Sequence, residues 1–453
     1  MSVQKNILSF FIFFMSYSYS NELKLEWQSY ISPPSLNEQF SDYVFMKGNY
    51  QNSVKKEDFY FSSKFLFQYS LYNSKFFYFG IPEIYFNYKY FLENDFYSIK
   101  SIQVSLGRQV KNWSFGDQYW DLGLWNSLNR WNPLYPIDNG LIGSFFTFTS
   151  DWWESNFFIG AFYLPDQDIK FVIEDGHIYS QSRWSNVLPK KVEKLNTDIF
   201  YYNDAPFIFD TLLQQSFLFS FKTWSNFSKE GFYWIKGAFA NKPSNNLFYV
   251  LKVKDRLEIE RKKEGSFFVN QGISVFPVRQ RILSTEWGLD YKKSSLIVSF
   301  ENTNMKSESP LPKDWEFVRD QSNFTYFSLL FKYNYLEDSF FRLAFIQSWF
   351  TDGILSKELS SFIQRGKILE GIGFDWQTKF FINQPLHLNL KYQYSFLDEG
   401  AWLSVRSIYY ISPKIYTELG IDIVGSVSKS INESFLKKFK HNDYFTWSLV
   451  YDF

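Results

Sequence analysis

The stretch from Asn442 to Phe453 limits the possible folds more than any other part of the chain. Phe445, Trp447, Leu449, Tyr451 and Phe453 recur at every second position, with Thr446 and Ser448 between them. A period of two belongs to a strand with one apolar face. The same alternation returns along the whole sequence. Residues 57–69 set Phe59, Phe61, Phe65 and Phe67 against Ser62, Lys64 and Gln68, and residues 99–108 set Ile102, Val104 and Leu106 against Gln103, Ser105 and Gly107. Residues 385–395 set Leu386, Leu388, Leu390, Tyr392 and Tyr394 against His387, Asn389, Lys391, Gln393 and Ser395. Residues 414–424 set Ile415, Leu419, Ile421 and Ile423 against Glu418, Gly420 and Asp422. A helix would need these sets to recur every ~3.6 residues, and they do not. The segments run to about ten residues or more, the length a tilted strand needs to cross a bilayer, whereas strands in soluble proteins average ~5–6.

Composition fits a chain with two solvents. It holds 55 Phe, 32 Tyr and 16 Trp, 23% aromatic, yet its mean hydropathy is slightly negative. A membrane barrel spreads aromatic rings over its lipid face and keeps its lumen polar. No apolar run reaches the ~18 residues of a spanning helix. Lys5 followed by the apolar run Ile7 to Met15 and the small, polar Ser16 to Ser20 has the layout of a secretory signal, so residues 1–20 are expected to be cleaved. The chain has no cysteine, which removes disulfides, thiolate metal sites and cysteine nucleophiles together. Basic and acidic residues balance at 47 each, which argues against a nucleic-acid partner.

Alternation places strands near 22–31, 43–50, 57–69, 82–91, 96–108, 140–150, 154–164, 214–224, 230–240, 246–256, 266–276, 280–292, 294–304, 323–335, 339–350, 366–380, 385–396, 401–412, 414–425 and 442–453, twenty in all within a range of 16 to 20. Links after even-numbered strands are short, among them 90–96, 150–154, 291–294, 335–339 and 411–414. Long links follow odd-numbered strands, at 108–140, 164–214, 304–323, 350–366 and 425–442. That parity belongs to a barrel with both termini periplasmic, short periplasmic turns and long extracellular loops. The links 256–266 and 276–280 have the wrong lengths for their sides, and an error there would reduce the count to eighteen. The predicted fold is all-β: a transmembrane, antiparallel, up-and-down β-barrel in which residues 21–453 form one domain.

Residues 107–140 stand apart. They hold Trp113, Trp120, Trp125 and Trp131, with Arg108, Arg130, Asp117, Asp121 and Asp138. A loop swept by water has little use for four indoles, so this one is expected to pack on a surface. In a barrel that surface is the inner wall, and residues 109–139 are expected to narrow the lumen. Packing at the extracellular rim is the bland alternative. Residues 165–213 form the longest link, rich in both charges, and are expected to be an extracellular loop. By alternation Lys64, Gln103, Lys222, Glu286, Asp290, Glu301, Arg342, Asp375, Asn389, Lys391, Gln393, Arg406, Glu418 and Asp422 face inward, either as wall-stabilising ion pairs or as a charge ladder for a polar solute.

The closing segment Phe445, Trp447, Leu449, Tyr451 and Phe453 resembles the last strand of Gram-negative outer-membrane β-barrels, where such a segment is the signal for membrane assembly. The Gly107-Arg108-Gln109 strand end followed by Trp113 is similar to segments of porin-like outer-membrane families, which constrict their channel with an inward loop. These resemblances imply a barrel in the outer membrane of a Gram-negative bacterium, exported by its signal peptide. The lipid bilayer and the outer-membrane assembly machinery would be its partners. They also imply a channel for small polar solutes, with Arg108, Trp113, Asp117, Trp120, Asp121, Trp125, Arg130 and Trp131 in the constriction and Lys64, Arg342, Lys391, Arg406, Glu418 and Asp422 on the lumen wall. A closed barrel serving as surface receptor, adhesin or part of polysaccharide or lipid export is the alternative. An outer-membrane hydrolase is a second. His177, His387 and His441 are the three histidines, none at a zinc-binding helical spacing, and no nucleophile elbow or phosphate-binding loop occurs. No cofactor, metal or catalytic residue is therefore expected.

Overall fold

A computed structural model describes residues 21–31, 44–56, 58–70, 77–96, 98–167, 171–180, 184, 191–192, 197–203, 209, 212–246, 248–252, 259–261, 267–307, 311–317, 323–350, 368–381, 384–397, 399–427, 435–440 and 442–452. The segment expected to be a signal peptide and the terminal Phe453 lie outside these residues, as does His441.

Eighteen strands form one antiparallel sheet. They are β1 (Asn21–Tyr30), β2 (Val44–Lys56), β3 (Phe59–Ser70), β4 (Phe77–Phe96), β5 (Ile99–Gln109), β6 (Leu141–Thr149), β7 (Trp153–Gly160), β8 (Ser216–Ser228) and β9 (Gly231–Pro243). The second half comprises β10 (Val278–Tyr291), β11 (Ser294–Ser307), β12 (Phe324–Leu336), β13 (Ser339–Phe350), β14 (Gly371–Phe381), β15 (Pro385–Ser395), β16 (Gly400–Ser412), β17 (Ile415–Ser426) and β18 (Tyr444–Asp452). Each pairs with its predecessor and its successor in sequence. β18 then pairs with β1 over nine residues, with Trp447 opposite Trp27. The sheet therefore closes on itself, which leaves no wall edge with unpaired backbone groups.

The two faces of the wall differ in chemistry. On β18 Phe445, Trp447, Leu449 and Tyr451 are exposed while Tyr444, Thr446, Ser448 and Val450 are buried. On β10 Leu283, Trp287 and Leu289 are exposed and Gln280, Ser284 and Glu286 are buried. An apolar, aromatic exterior around a polar interior, in a closed sheet, is the arrangement a bilayer demands. The chain is thus an outer-membrane-type β-barrel. A cation on the lipid face near mid-height costs about 2–4 kcal/mol. Leu449, on the outward row of β18, is the place to measure it. Leu449→Lys is expected to lower unfolding stability in lipid vesicles by about that amount, read from urea titration.

Links after even-numbered strands hold two or three residues, from 57–58 after β2 to 413–414 after β16. Several turn through a residue with positive φ, among them Ser98, Lys292 and Asp338. Links after odd-numbered strands are mostly longer, reaching residues 161–215 after β7.

Eighteen lies within the expected range of 16 to 20, and the correction concerns two of the twenty expected strands. Two segments that alternate, 246–256 and 266–276, are not wall strands. Phe248–Lys252 and Phe267–Phe276 pair with each other, and the latter also runs parallel to Thr197–Asn203. With Lys191–Val192, Ile259–Arg261 and Trp315–Phe317 they make a separate six-stranded sheet built from the long links. Period two reports a pleat and does not say to which sheet the pleat belongs. Removing the two together preserves the parity of every later strand.

Candidate functional site

The link from β5 to β6, residues 110–140, runs into the barrel. Its entry depends on Gly107, whose φ is +125°; a Cβ there would lie 2.4 Å from the Ile84 carbonyl oxygen, so only glycine fits. Beyond it Arg108 is buried, with Nη1 donating to the Ile81 carbonyl at 2.6 Å and Nε to the Gly140 carbonyl at 3.2 Å. Arg108 thus ties both ends of the link to β4.

The first part of the link packs on the wall from β6 to β14. A short helix, α1 (Phe115–Trp120), starts at Ser114, whose Oγ accepts from the Asp117 backbone N–H, and ends at Asp121 in the left-handed region. Glu286 of β10 meets the helix start: one carboxylate oxygen accepts from Ser114 Oγ at 3.1 Å, Phe115 N at 2.7 Å and Ser299 Oγ at 2.9 Å. A carboxylate is favoured there because the first N–H groups of a helix lack intrahelical partners and carry partial positive charge. Lys236 Nζ lies 3.7 Å from the other oxygen. Trp125 Nε1 donates to Glu301 of β11 at 2.9 Å, and Tyr326 OH donates to the same carboxylate at 2.6 Å. Trp120 Nε1 donates to Ser328 of β12 at 3.0 Å. Trp113, Trp120, Trp125, Leu122 and Leu124 join Phe145, Phe158, Leu218, Ile282, Tyr326 and Ile346 of the wall in one buried cluster. Asp117 accepts from the Leu124 N–H at 2.8 Å and so folds the turn after α1. Burial, with Glu301 nearby, holds its carboxyl well above the usual range. Asn245, from the link after β9, donates to the carbonyls of Gly123, Leu124 and Asn126.

The second part of the link reaches the other side of the barrel. Ser127–Asn129 and Ile137–Asn139 form a two-stranded ribbon. Arg130 pairs with Asp166 at 3.2 Å, joining this link to the one after β7. Trp131 lies 4.1 Å, centroid to centroid, from Tyr78 of β4. Asn132 donates to Tyr444 OH of β18 at 2.8 Å, and Tyr135 OH donates to Asp422 of β17 at 2.6 Å. Leu134 is buried with Tyr30, Trp184, Trp402, Val424 and Tyr444 in a second cluster. One link leaving between β5 and β6 is thereby fastened to β10–β12 on one side and β16–β18 on the other.

Beside this crossing lies a cavity of about 350 Å³, bounded by Lys24, Glu26, Gln68, Arg406 and Glu418 of the wall and by Asn129, Trp131, Asn132 and Tyr135 of the link. Its charges are mutually paired. Lys24 Nζ is 2.6 Å from Glu418 and 3.6 Å from Glu26; Arg406 is 2.7 Å from Asp422 and 3.5 Å from Glu418. Arg406 also covers the Tyr135 ring at 4.7 Å. Near the ribbon, Asp138 feels Asp121 and the wall residues Lys64 and Glu83; burial pushes its carboxyl up to about 6, Asp121 adds to the rise and Lys64 opposes it.

No family model matches the sequence, and no curated protein matches it. Solved structures overlap it loosely. OmpF of Salmonella typhi, solved in complex with daunomycin, has 8% identity and a TM-score of 0.36 over 96% of each chain. A loop L8 deletion mutant of OmpT, an outer membrane protein of Vibrio cholerae, also has 8% identity and a TM-score of 0.36, over 96% of this chain and 98% of that one. CdiB from Acinetobacter baumannii has 7% identity and a TM-score of 0.39, over 96% of this chain and 60% of that one. At these scores the likeness adds nothing to what the strand register already shows.

The residues singled out in the sequence separate into groups. Trp113, Trp120 and Trp125 are buried against the wall. Arg108, Asp117 and Arg130 are engaged in holding the link together, and Trp131 borders the cavity. Arg342 pairs with Asp375 at 3.4 Å, and Lys391 lies 5.6 Å from the centre of the Tyr119 ring. Sequence reasoning named Asn132 only as part of the 107–140 segment and passed over Tyr135 and Asn245. Tyr135 and Asn132 sit in the same aromatic segment, which was their signal, whereas nothing in the sequence marks Asn245. His387 lies 5.5 Å, ring to ring, from Tyr410, and among the described residues no group of His, Asp and Glu could hold a metal ion.

Proposed function

We propose that this barrel is an outer-membrane channel through which small polar solutes diffuse passively, with residues 109–139 as its constriction. The observation that supports this reading is the fastening of that link to two separate arcs of the wall, β10–β12 and β16–β18, with a charge-balanced cavity beside it. Paired charges compensate one another locally, so the passage favours neither ion strongly and suits neutral or zwitterionic solutes. A conduit needs no catalytic group, and none is assigned. Purified protein inserted into planar bilayers is expected to give stepwise conductance with weak ion selectivity. Silent bilayers, with the protein shown to be inserted, would overturn the reading and leave a closed barrel acting as receptor or in export.

Asp138 gives the conductance a pH dependence. Its carboxyl titrates near 6 instead of at the usual value near 4. It is neutral below that pH and adds one negative charge beside Asp121 and Glu83 above it. Cation preference is expected to rise between pH 5 and 7 with a midpoint near 6, and Asp138→Asn to flatten that curve, read from reversal potentials in asymmetric KCl. The linked stability has the opposite sense. A raised folded pKa stabilises the protein fully below the unfolded carboxylate value, and the contribution is lost as the pH climbs through about 6.

A further inference from the structure

The outward face of the wall carries one cluster of cations that the channel reading does not use. On β10 the outward row reads Tyr291, Leu289, Trp287, Thr285, Leu283, Arg281 and Arg279. On β11 it reads Leu296, Val298, Phe300, Asn302, Asn304 and Lys306. Arg279 stands opposite Lys306 in the register, and Arg281 opposite Asn304 and Asn241. Arg281 and Lys306 are exposed; Arg279 is half-buried, its Nε donating to Asn241 Oδ1 at 2.7 Å. No carboxylate faces outward on β9, β10 or β11, because Glu286, Asp290 and Glu301 all point inward. At the same end of the other strands the described outward residues are uncharged, for example Phe217 on β8, Thr325 on β12, Trp349 on β13, Ile423 on β17 and Phe445 on β18.

Height decides what these cations meet. From Tyr291 to Leu283 the apolar row of β10 covers roughly 20 Å along the membrane normal, at ~3.4 Å per residue and a tilt of ~40°. Arg281 lies about 5 Å beyond, at the edge of the ~25 Å apolar band, where long cationic stems reach the headgroups. The cluster lies on the side of the long links. We propose that Arg281 and Lys306 dock the phosphate of an anionic lipid headgroup in the leaflet on that side. A guanidinium matches phosphate oxygens with paired N–H donors, and the amide of Asn304, opposite Arg281 in the register, sits beside it to donate as well. The last exposed ring and aliphatic chain below, Phe300 and Leu283, offer the acyl chains an apolar wall.

The experiment uses the full-length barrel in nanodiscs of equal phosphatidylglycerol and phosphatidylcholine, with native mass spectrometry of retained lipid. The intact protein is expected to hold phosphatidylglycerol in preference. Arg281→Gln with Lys306→Gln, both exposed and remote from the internal link, is expected to weaken that preference by about fivefold for each charge removed. Lys100→Gln, a cation at the opposite end of the wall, is expected to leave it unchanged. An equal preference in the double variant would overturn the proposal. So would displacement of the lipid by millimolar inorganic phosphate, since that would make the site one for free anions. Because the readout is lipid retention, its failure is distinct from a failure to conduct ions.

Discussion

Glu286→Ala is expected to raise single-channel conductance severalfold and to make it noisy. The carboxylate accepts from Ser114, Phe115 and Ser299 at the start of α1 and sits opposite Lys236. Its removal strands the Lys236 ammonium, which is buried, keeps a bond to the Asn112 carbonyl at 3.0 Å and lies over the Phe115 ring. Stranding one partner of a buried pair costs about 3–5 kcal/mol. The strand pairings that close the wall do not involve the link, so the barrel itself should fold. The first half of the link would come away and open the lumen. Glu286→Gln keeps an acceptor for the Phe115 N–H and should fall between the two. Unchanged conductance steps in the alanine variant would show that α1 does not border the passage.

Arg406→Met is the second large effect. Asp422 is fully buried and would keep Tyr135 and Trp402 as donors while losing its guanidinium partner at 2.7 Å. The expected cost is again about 3–5 kcal/mol, read as a drop in the thermal midpoint in detergent. The cavity would also carry one more uncompensated negative charge, so cation selectivity should increase. Arg406→Met combined with Asp422→Leu is expected to recover most of the stability, since a buried ion pair replaced by apolar groups is often neutral or better. A double variant as unstable as the single would mean that the contacts of Arg406 with Thr446 and the Tyr135 ring matter more than the pair.

The barrel was legible because its physics repeats. Every wall strand shows two solvents to the sequence at a period of two, and every second link is too short for anything but a turn. The limit of that signal appears at Phe248–Lys252 and Phe267–Phe276, where alternation marks strands of a different sheet. Four tryptophans between β5 and β6 announced a packed link. Which wall each one meets was not readable, because the partners lie far away in sequence: Trp125 meets Glu301, Trp120 meets Ser328, and Asn132 meets Tyr444. The mutual pairing of Lys24, Glu418, Arg406 and Asp422 depends on register across three strand pairings, which composition cannot supply.

The seam between β1 and β18 forms last in chain order, yet the link from residues 110–140 already needs Tyr444 and Asp422 beside it. A tube sealed beforehand would have to admit several large rings through its mouth. The chain is therefore best wrapped around its own filling, with the link serving as the mandrel on which the final staves are laid. Such contacts, 312 and 287 residues apart, are slow to find. Shortening this link should therefore alter the pace at which the cylinder seals as well as the width of its bore.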